Sequence, residues 1–210
     1  ALITELRSLN DPATSIWVRD AESQELLGGK KEAFLGPDLS WLFPLSVEPH
    51  LLSGPRAGWC LNLCSGLKKP VRTDLWKNLL NSMTVPIHGW PLFFGAHSDR
   101  EVLEEVLSNQ ELPREFVFEP LQNAELVVAM RYHAILFAIQ SGRPFVAIEN
   151  TKKVRYFLQA SPWKDRCYPI SDVNEVPDAV EKAIAALPEN ELSSFTQHMK
   201  QEANTIATHF

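Results

Sequence analysis

The sequence predicts an α/β fold, a single three-layer domain over residues 1–210 with a mostly parallel sheet. Short apolar segments alternate with stretches that carry apolar residues at helical spacing, and such alternation is typical of βα units. No internal repeat interrupts this alternation. The longest apolar runs, 126–130 and 134–139, are far shorter than the ~20 residues that a membrane span needs.

Strands are expected where short apolar runs end at polar or turn-forming residues. In chain order these runs are 15–18, 32–35, 59–64, 85–88, 91–95, 115–118, 126–130, 144–148 and 166–169. Helices are expected where apolar residues recur three and four positions apart. In chain order these helices are 21–27, 73–82, one that begins at Asp99, 134–140, 151–158 and two amphipathic helices near the C-terminus.

Capping and turn-forming residues mark the borders of several elements. Asp20 is expected to cap the helix 21–27, and Asp99 is expected to cap the helix that it begins. Two prolines and a glycine predict a loop over residues 46–56. The clearest unit is the apolar strand 126–130 with the helix that follows it. That helix is apolar on nearly all sides, so we expect it to be buried.

The charge balance and the cysteines narrow the function classes. The chain has 20 Lys and Arg against 26 Asp and Glu, a net charge of -6, which argues against a general nucleic-acid binder. The three cysteines cannot all pair, which favours a reducing compartment, and we expect a cytoplasmic protein. Cys60 and Cys64 have no second Cys or His pair at zinc-ligand spacing. We therefore expect buried thiols there and no metal site.

Charged residues follow two consecutive strands of the predicted sheet. Arg131 and His133 come after the strand 126–130, and Lys153 comes shortly after the next strand. Ligands of open α/β sheets bind beyond the carboxyl ends of the strands, so we expect these three side chains to converge there. An Arg offers a planar fork, a Lys a point charge and a His a proton near neutral pH. The trio suits a small, doubly charged anion that is protonated during a reaction.

Simpler interpretations stay open for each of these residues. His133 is equally well explained as a residue that caps its helix and fills a niche in the core. The charged run 152–155 is typical of a solvated helix face, and Arg19 of a surface ion pair. His97 and Asp99 fit a turn followed by a helix cap. No Gly-rich phosphate loop, nucleophile elbow or His-Glu-x-x-His motif is present to support another enzyme class.

Several segments also carry a resemblance to a known family. Segment 125–148 has an Arg-x-His on a strand-to-helix turn, then a helix, a Gly-x-Pro and a strand. Residues 150–154 place a Lys just before a Val, residues 16–27 contain Val-Arg-Asp-x-x-Ser, and residues 94–99 match more loosely. In these motifs and their order the chain resembles the polysaccharide pyruvyl transferase family. Tyr132 departs from the pattern, since the family usually has Leu there.

The resemblance implies a fold like the two-domain GT-B enzymes, with two Rossmann-like halves facing a cleft. The family's N-terminal half, with its Gly-Asn-x-Gly-Asp motif, has no counterpart in the sequence. We therefore expect the C-terminal, donor-binding half, with little activity by itself. A missing N-terminal domain or a homo-oligomer would then complete the site.

The resemblance also implies a reaction, in which a pyruvyl group passes from phosphoenolpyruvate to two hydroxyls of a sugar as a ketal. This reaction belongs to cell-surface polysaccharide biosynthesis, and we expect no cofactor. The family assigns Arg131 and His133 to the donor, with Lys153 beside them, and Arg19 matches another donor-side arginine. His97 and Asp99 are candidates for the acceptor side, and the pKa range of histidine makes His133 the candidate proton donor.

Two other function classes remain open from the sequence. One is a glycosyltransferase or a sugar-nucleotide epimerase, because GT-B halves resemble one another. The other is a non-catalytic domain that binds an anion and acts only with another chain. A sugar-nucleotide enzyme should prefer a nucleotide diphosphate, whereas a pyruvyl transferase should bind phosphoenolpyruvate.

Overall fold

The computed structural model describes residues 16–18, 21–27, 33–42, 58–64, 71–95, 97–108, 110–169, 173–185 and 189–208. The chain divides into two compact units. The terminal unit comprises Ala1–Pro44 and Ser193–Phe210, and the central unit comprises Leu45–Leu192. That residues 1–210 form one domain stays a prediction.

The central unit is built on a five-stranded, all-parallel sheet, as the sequence predicts. The strands, in the spatial order β4-β3-β5-β6-β7, are β3 (Trp59–Asn62), β4 (Ile87–Gly89), β5 (Leu126–Ala129), β6 (Phe145–Glu149) and β7 (Cys167–Pro169). The helices of the unit are α2 (Thr73–Asn81), α3 (Asp99–Val106), α4 (Glu119–Asn123), α5 (Tyr132–Gln140), α6 (Lys152–Gln159) and α7 (Val176–Ala185). Short 3-10 turns cover Lys164–Arg166 and Val173–Glu175.

The apolar strands explain why this sheet forms the middle layer. Alternate residues such as Leu61, Val128 and Val146 join one core cluster with side chains from α2, α3 and α7. The intervening residues, among them Val127 and Ala147, are fully buried too. A sheet that is buried on both faces needs apolar runs rather than alternation, and β5 is such a run.

Helix α5 confirms the prediction of a buried helix after β5. Each of its residues except His133 is buried, from Tyr132 to Gln140. The helix begins two residues earlier than the sequence predicts, with Arg131 as the extended residue before it. His133 therefore lies within the first turn of the helix.

The terminal unit contains a small parallel pair of strands. β1 (Ile16–Val18) pairs with β2 (Ala33–Leu35), and α1 (Ala21–Leu26) connects them. A 3-10 turn, Leu39–Leu42, follows in this unit, and most of the C-terminal helix α8, Glu189–Ala207, belongs to it from Ser193 on. The helix packs inside this unit, since Phe195 lies edge-on to Trp41, with 6.0 Å between ring centroids. The expected cap Asp20 and the loop 46–56 lie outside the described residues.

Two segments that the sequence predicts as extended pieces form no strand. Residues 115–118 are a loop before α4, because Phe116 and Phe118 pack their rings against Trp90 and Phe137. Residues 91–95 form no ladder either, because the backbone N–H groups of Leu92 and Phe93 donate to the Asp99 carboxylate instead. The apolar pattern of these segments thus reflects an aromatic cluster and a loop rather than a strand.

The cap of α3 is also different from the prediction. Ser98 is the N-cap, with extended backbone and an Oγ that accepts from Glu101 N, 3.3 Å away. Asp99 is the first helical residue, and its carboxylate turns to other partners. Among the helices of the described segments, none is both long and apolar enough to cross a membrane.

Candidate functional site

The candidate site lies at the carboxyl edge of the central sheet. Because the strands are parallel, the residues that follow them meet at this edge. Asn62 ends β3, Arg131 follows β5, and Lys153 lies in the first turn of α6, after β6. The loop after β4 leads to Asp99 at the start of α3.

A buried ion pair holds Arg131 at this edge. Its Nε donates to both carboxylate oxygens of Asp99, at 2.8 and 2.7 Å, and its Nη2 donates to Oδ1 at 2.5 Å. The Asp99 side chain is fully buried, whereas 31% of the Arg131 side chain is exposed. Such a charge-assisted, bidentate contact fixes the plane of the guanidinium as well as its position.

Three neutral donors complete the surroundings of the Asp99 carboxylate. Leu92 N and Phe93 N donate to Oδ2 at 3.1 and 3.3 Å, and Asn62 Nδ2 donates to the same oxygen at 3.3 Å. Burial of a carboxylate is costly unless charges and hydrogen bonds compensate for it. Here backbone from the β4 loop, a side chain from β3 and Arg131 after β5 all compensate for one buried charge.

Asn62 is the residue that sequence reasoning missed. It is fully buried, donates to Trp90 O at 2.9 Å as well as to Asp99, and accepts from Arg131 N at 3.0 Å. The available signal was a lone amide at the end of the strand Trp59–Asn62. A buried amide is normally hydrogen-bonded, so this position indicated a polar network at the strand end.

Asp99 engages only part of the Arg131 guanidinium. Its Cζ lies 5.1 Å from the centroid of the half-exposed Phe93 ring, and Asp99 occupies Nε and Nη2. No hydrogen-bond acceptor of the described residues engages Nη1. Burial by itself would lower the pKa of Arg131, but the hydrogen bonds and the charge of Asp99 outweigh it and raise that pKa. The group therefore stays a cation.

The aromatic ring of Tyr132 brings two other predicted residues together. Lys153 Nζ lies 3.8 Å from the centroid of this ring, a close cation–π contact. The His133 ring lies edge-on to it, with 5.3 Å between centroids, and Phe157 packs against it at 5.0 Å. Tyr132 itself is buried, so His133 and Lys153 share one fixed neighbour.

Two helices begin beside these cations. The N-cap residues of α5 and α6 are Arg131 and Thr151, and neither side chain bonds to the first turn of its helix. First-turn N–H groups and the helix dipole favour an anion. The edge therefore carries Arg131, Lys153 and two helix N-termini, and that they converge on one small anion stays a prediction.

The remaining predicted residues fall in different places. Arg19 lies outside the described residues. His97 is exposed and adopts a left-handed backbone, with φ of 59°, one residue before the cap of α3. Asp99 forms an ion pair with Arg131, and its assignment to the acceptor side stays a prediction. Arg155 pairs with Glu149, as expected of a charged helix face.

Cys60 and Cys64 are buried, which confirms the prediction of buried thiols at these positions. Cys64 follows β3, and its Sγ accepts a hydrogen bond from Asn150 Nδ2, 2.7 Å away. The pKa of Cys64 is raised to about 11, chiefly by burial; Arg131 and the hydrogen bond from Asn150 oppose the rise, and the charge of Asp99 adds to it. The thiol is therefore neutral near pH 7 and serves as packing beside the site.

Comparison with known proteins identifies one family. The family model described as polysaccharide pyruvyl transferase matches residues 3–152. The matched segment includes Arg131 and His133 and ends one residue before Lys153. No curated protein and no solved structure matched the chain.

Proposed function

This chain belongs to the polysaccharide pyruvyl transferase family, and from that premise we propose that it acts on phosphoenolpyruvate. In the proposed reaction, the pyruvyl group passes to two hydroxyls of one sugar residue as a cyclic ketal, and phosphate is released. The product is a component of a cell-surface polysaccharide. A GT-B-like cleft, of which this chain supplies the donor wall, would hold the two substrates together.

The observation that carries the proposal is the guanidinium of Arg131, oriented by a buried carboxylate at the carboxyl edge. Phosphoenolpyruvate presents a carboxylate and a phosphate on one small molecule. The remaining Arg131 donors, Lys153 and the starts of α5 and α6 supply charge and N–H groups for both. Donors that are oriented before the ligand arrives need no reorganisation during reaction, which is the main source of electrostatic catalysis.

The chemistry gives His133 a defined task. The enol carbon C3 accepts a proton, which leaves an oxocarbenium-like centre at C2. One sugar hydroxyl adds to C2 and loses its proton, which replaces the one given to C3. The C2–O bond to phosphate then breaks, the second hydroxyl adds to C2 to close the ketal, and its proton passes to the departing phosphate. We assign the first proton to His133, because it lies in the first turn of α5, two residues after Arg131.

Binding assays on the chain as it stands test this proposal. Phosphoenolpyruvate at about 100 times its Kd should stabilise the protein by about 2.7 kcal/mol, which corresponds to a rise in Tm of roughly 5–11 °C. A nucleotide sugar at the same concentration should leave Tm unchanged. Stabilisation by the nucleotide sugar alone would instead support a glycosyltransferase or an epimerase. An equal shift with inorganic phosphate would support a general anion-binding domain.

A further inference from the structure

The buried residue Asn62 helps to fix Arg131 at its backbone and at its guanidinium. The backbone carbonyl of Asn62 accepts from Met130 N at 3.0 Å, and its side-chain Oδ1 accepts from Arg131 N at the same distance. These two bonds fix the chain where it leaves β5. The amide nitrogen of Asn62 then holds the Asp99 carboxylate, which in turn holds the guanidinium.

The same residue also joins the neighbouring loop to this arrangement. Asn62 Nδ2 donates to Trp90 O, and Trp90 N donates to Leu61 O at 2.9 Å, so the loop after β4 is tied to the end of β3. That loop carries Phe93, whose backbone N–H contacts Asp99 and whose ring covers the guanidinium. The direction of the Arg131 side chain therefore depends on contacts that converge on Asn62.

We propose that Asn62 is a positioning residue that sets the direction in which Arg131 presents its remaining N–H groups to a bound anion. A planar guanidinium binds a carboxylate or a phosphate through two parallel hydrogen bonds only when its edge is aligned with the ligand. Asn62 is fully buried, so we expect it to act through Arg131 rather than by contact with the ligand. The inference rests on the proposed function and adds the residue that orients its main anion donor.

The test compares Asn62→Ala with a matched variant, Asn150→Ala. Both remove an amide that donates at the same sheet edge, but Asn150 bonds to Cys64 and not to Arg131. Both variants should lower Tm, because Asn62→Ala loses buried hydrogen bonds and Asn150→Ala loses a partly buried one. Only Asn62→Ala should weaken phosphoenolpyruvate binding, by about tenfold in Kd, since a charge-assisted contact is then misaligned. Isothermal titration calorimetry measures the Kd.

A second background separates positioning from general stability. In an Arg131→Lys variant the forked donor is absent, so Asn62→Ala should change Kd less than about twofold there. A residue that only stabilises the fold would show the same loss in both backgrounds. If Asn62→Ala does not fold, Asn62→Ser keeps a hydroxyl at the site, but this shorter group has one donor hydrogen and cannot replace both bonds of the amide nitrogen, to Trp90 O and to Asp99.

Each result has a defined meaning. Wild-type affinity in the Asn62 variants overturns the proposal, and so does an equal loss with Asn150→Ala or in the Arg131→Lys background. If the wild-type chain binds neither phosphoenolpyruvate nor inorganic phosphate, the proposed function itself fails, and Asn62 has no anion to serve. A loss of affinity confined to the Asn62 variants in the wild-type background supports the proposal.

Discussion

The Arg131–Asp99 pair should dominate the stability of the sheet edge, and replacement of Arg131 by Met tests this. The substitution leaves the fully buried Asp99 carboxylate without its charged partner. Breaking a buried pair from one side costs about 3–5 kcal/mol. Three neutral donors remain on the carboxylate, so we expect about 3 kcal/mol, the lower end of that range. This loss corresponds to a fall in Tm of roughly 6–12 °C.

The opposite substitution should cost less. In Asp99→Asn the Arg131 side chain, which is 31% exposed, can still be hydrated, whereas the buried carboxylate in Arg131→Met cannot. The double variant should recover part of the loss, because it contains no unpaired buried charge. We expect the two single costs to exceed the cost of the double variant by about 2 kcal/mol.

Urea unfolding of the four proteins measures this coupling. Additive effects, within about 0.5 kcal/mol, would refute the reasoning, since they would mean that the two groups do not interact. The exposed pair Arg72–Asp74 provides the control. Its side chains are 61% and 58% exposed, so Arg72→Met should leave the unfolding midpoint nearly unchanged.

Three further predictions concern neighbours of this pair. Because the folded state holds the Cys64 proton up to a pKa of about 11, against 9.0 in the unfolded chain, its contribution to stability is complete below pH 9 and is lost as the pH rises towards 11. Wild type should therefore lose about 2 kcal/mol more than Cys64→Ala between pH 7.5 and pH 10.5, as measured by urea unfolding. Tyr132→Leu should weaken phosphoenolpyruvate binding by about two- to fivefold in calorimetry, because the cation–π contact to Lys153 is lost, whereas Tyr132→Phe should not. His133→Ala should lower kcat of the active transferase by about a hundredfold or more with little change in the Kd of phosphoenolpyruvate, and Lys152→Ala should change neither. A parallel loss of affinity in His133→Ala would assign that residue to binding instead.

The central sheet could be predicted because its information is local. Runs such as Leu126–Ala129 and Phe145–Glu149 show their burial in their composition, and the short connection between them fixes their order. The strand predicted over residues 115–118 was wrong because that prediction, too, used only local composition. Its phenylalanines are apolar because they join rings from Trp90 and α5, and composition does not distinguish such a cluster from a strand.

The candidate site could be predicted only in part. Arg131 and Lys153 could be named as candidates because each follows a strand, and strand ends are recognisable from the pattern; that they bind a donor stays a prediction. The carboxylate that orients Arg131 comes from Asp99, 32 positions earlier, and the amide that supports both comes from Asn62, 37 positions before Asp99. No local pattern encodes such pairings, because they arise when β3, β4 and β5 align.

The arrangement at this edge favours orientation over net charge. A carboxylate beside Arg131 reduces the attraction that the guanidinium exerts on an anion, so the contact is a poor choice for affinity alone. It holds the remaining N–H groups in one direction, which matters when a proton must reach one carbon of a small ligand and a hydroxyl must reach the next. Correct placement of reacting groups can lower a reaction barrier by about 7–11 kcal/mol, which is far more than one ion pair contributes to binding. The proposed donor site, if built in this way, is better suited to a reaction on a bound anion than to its storage.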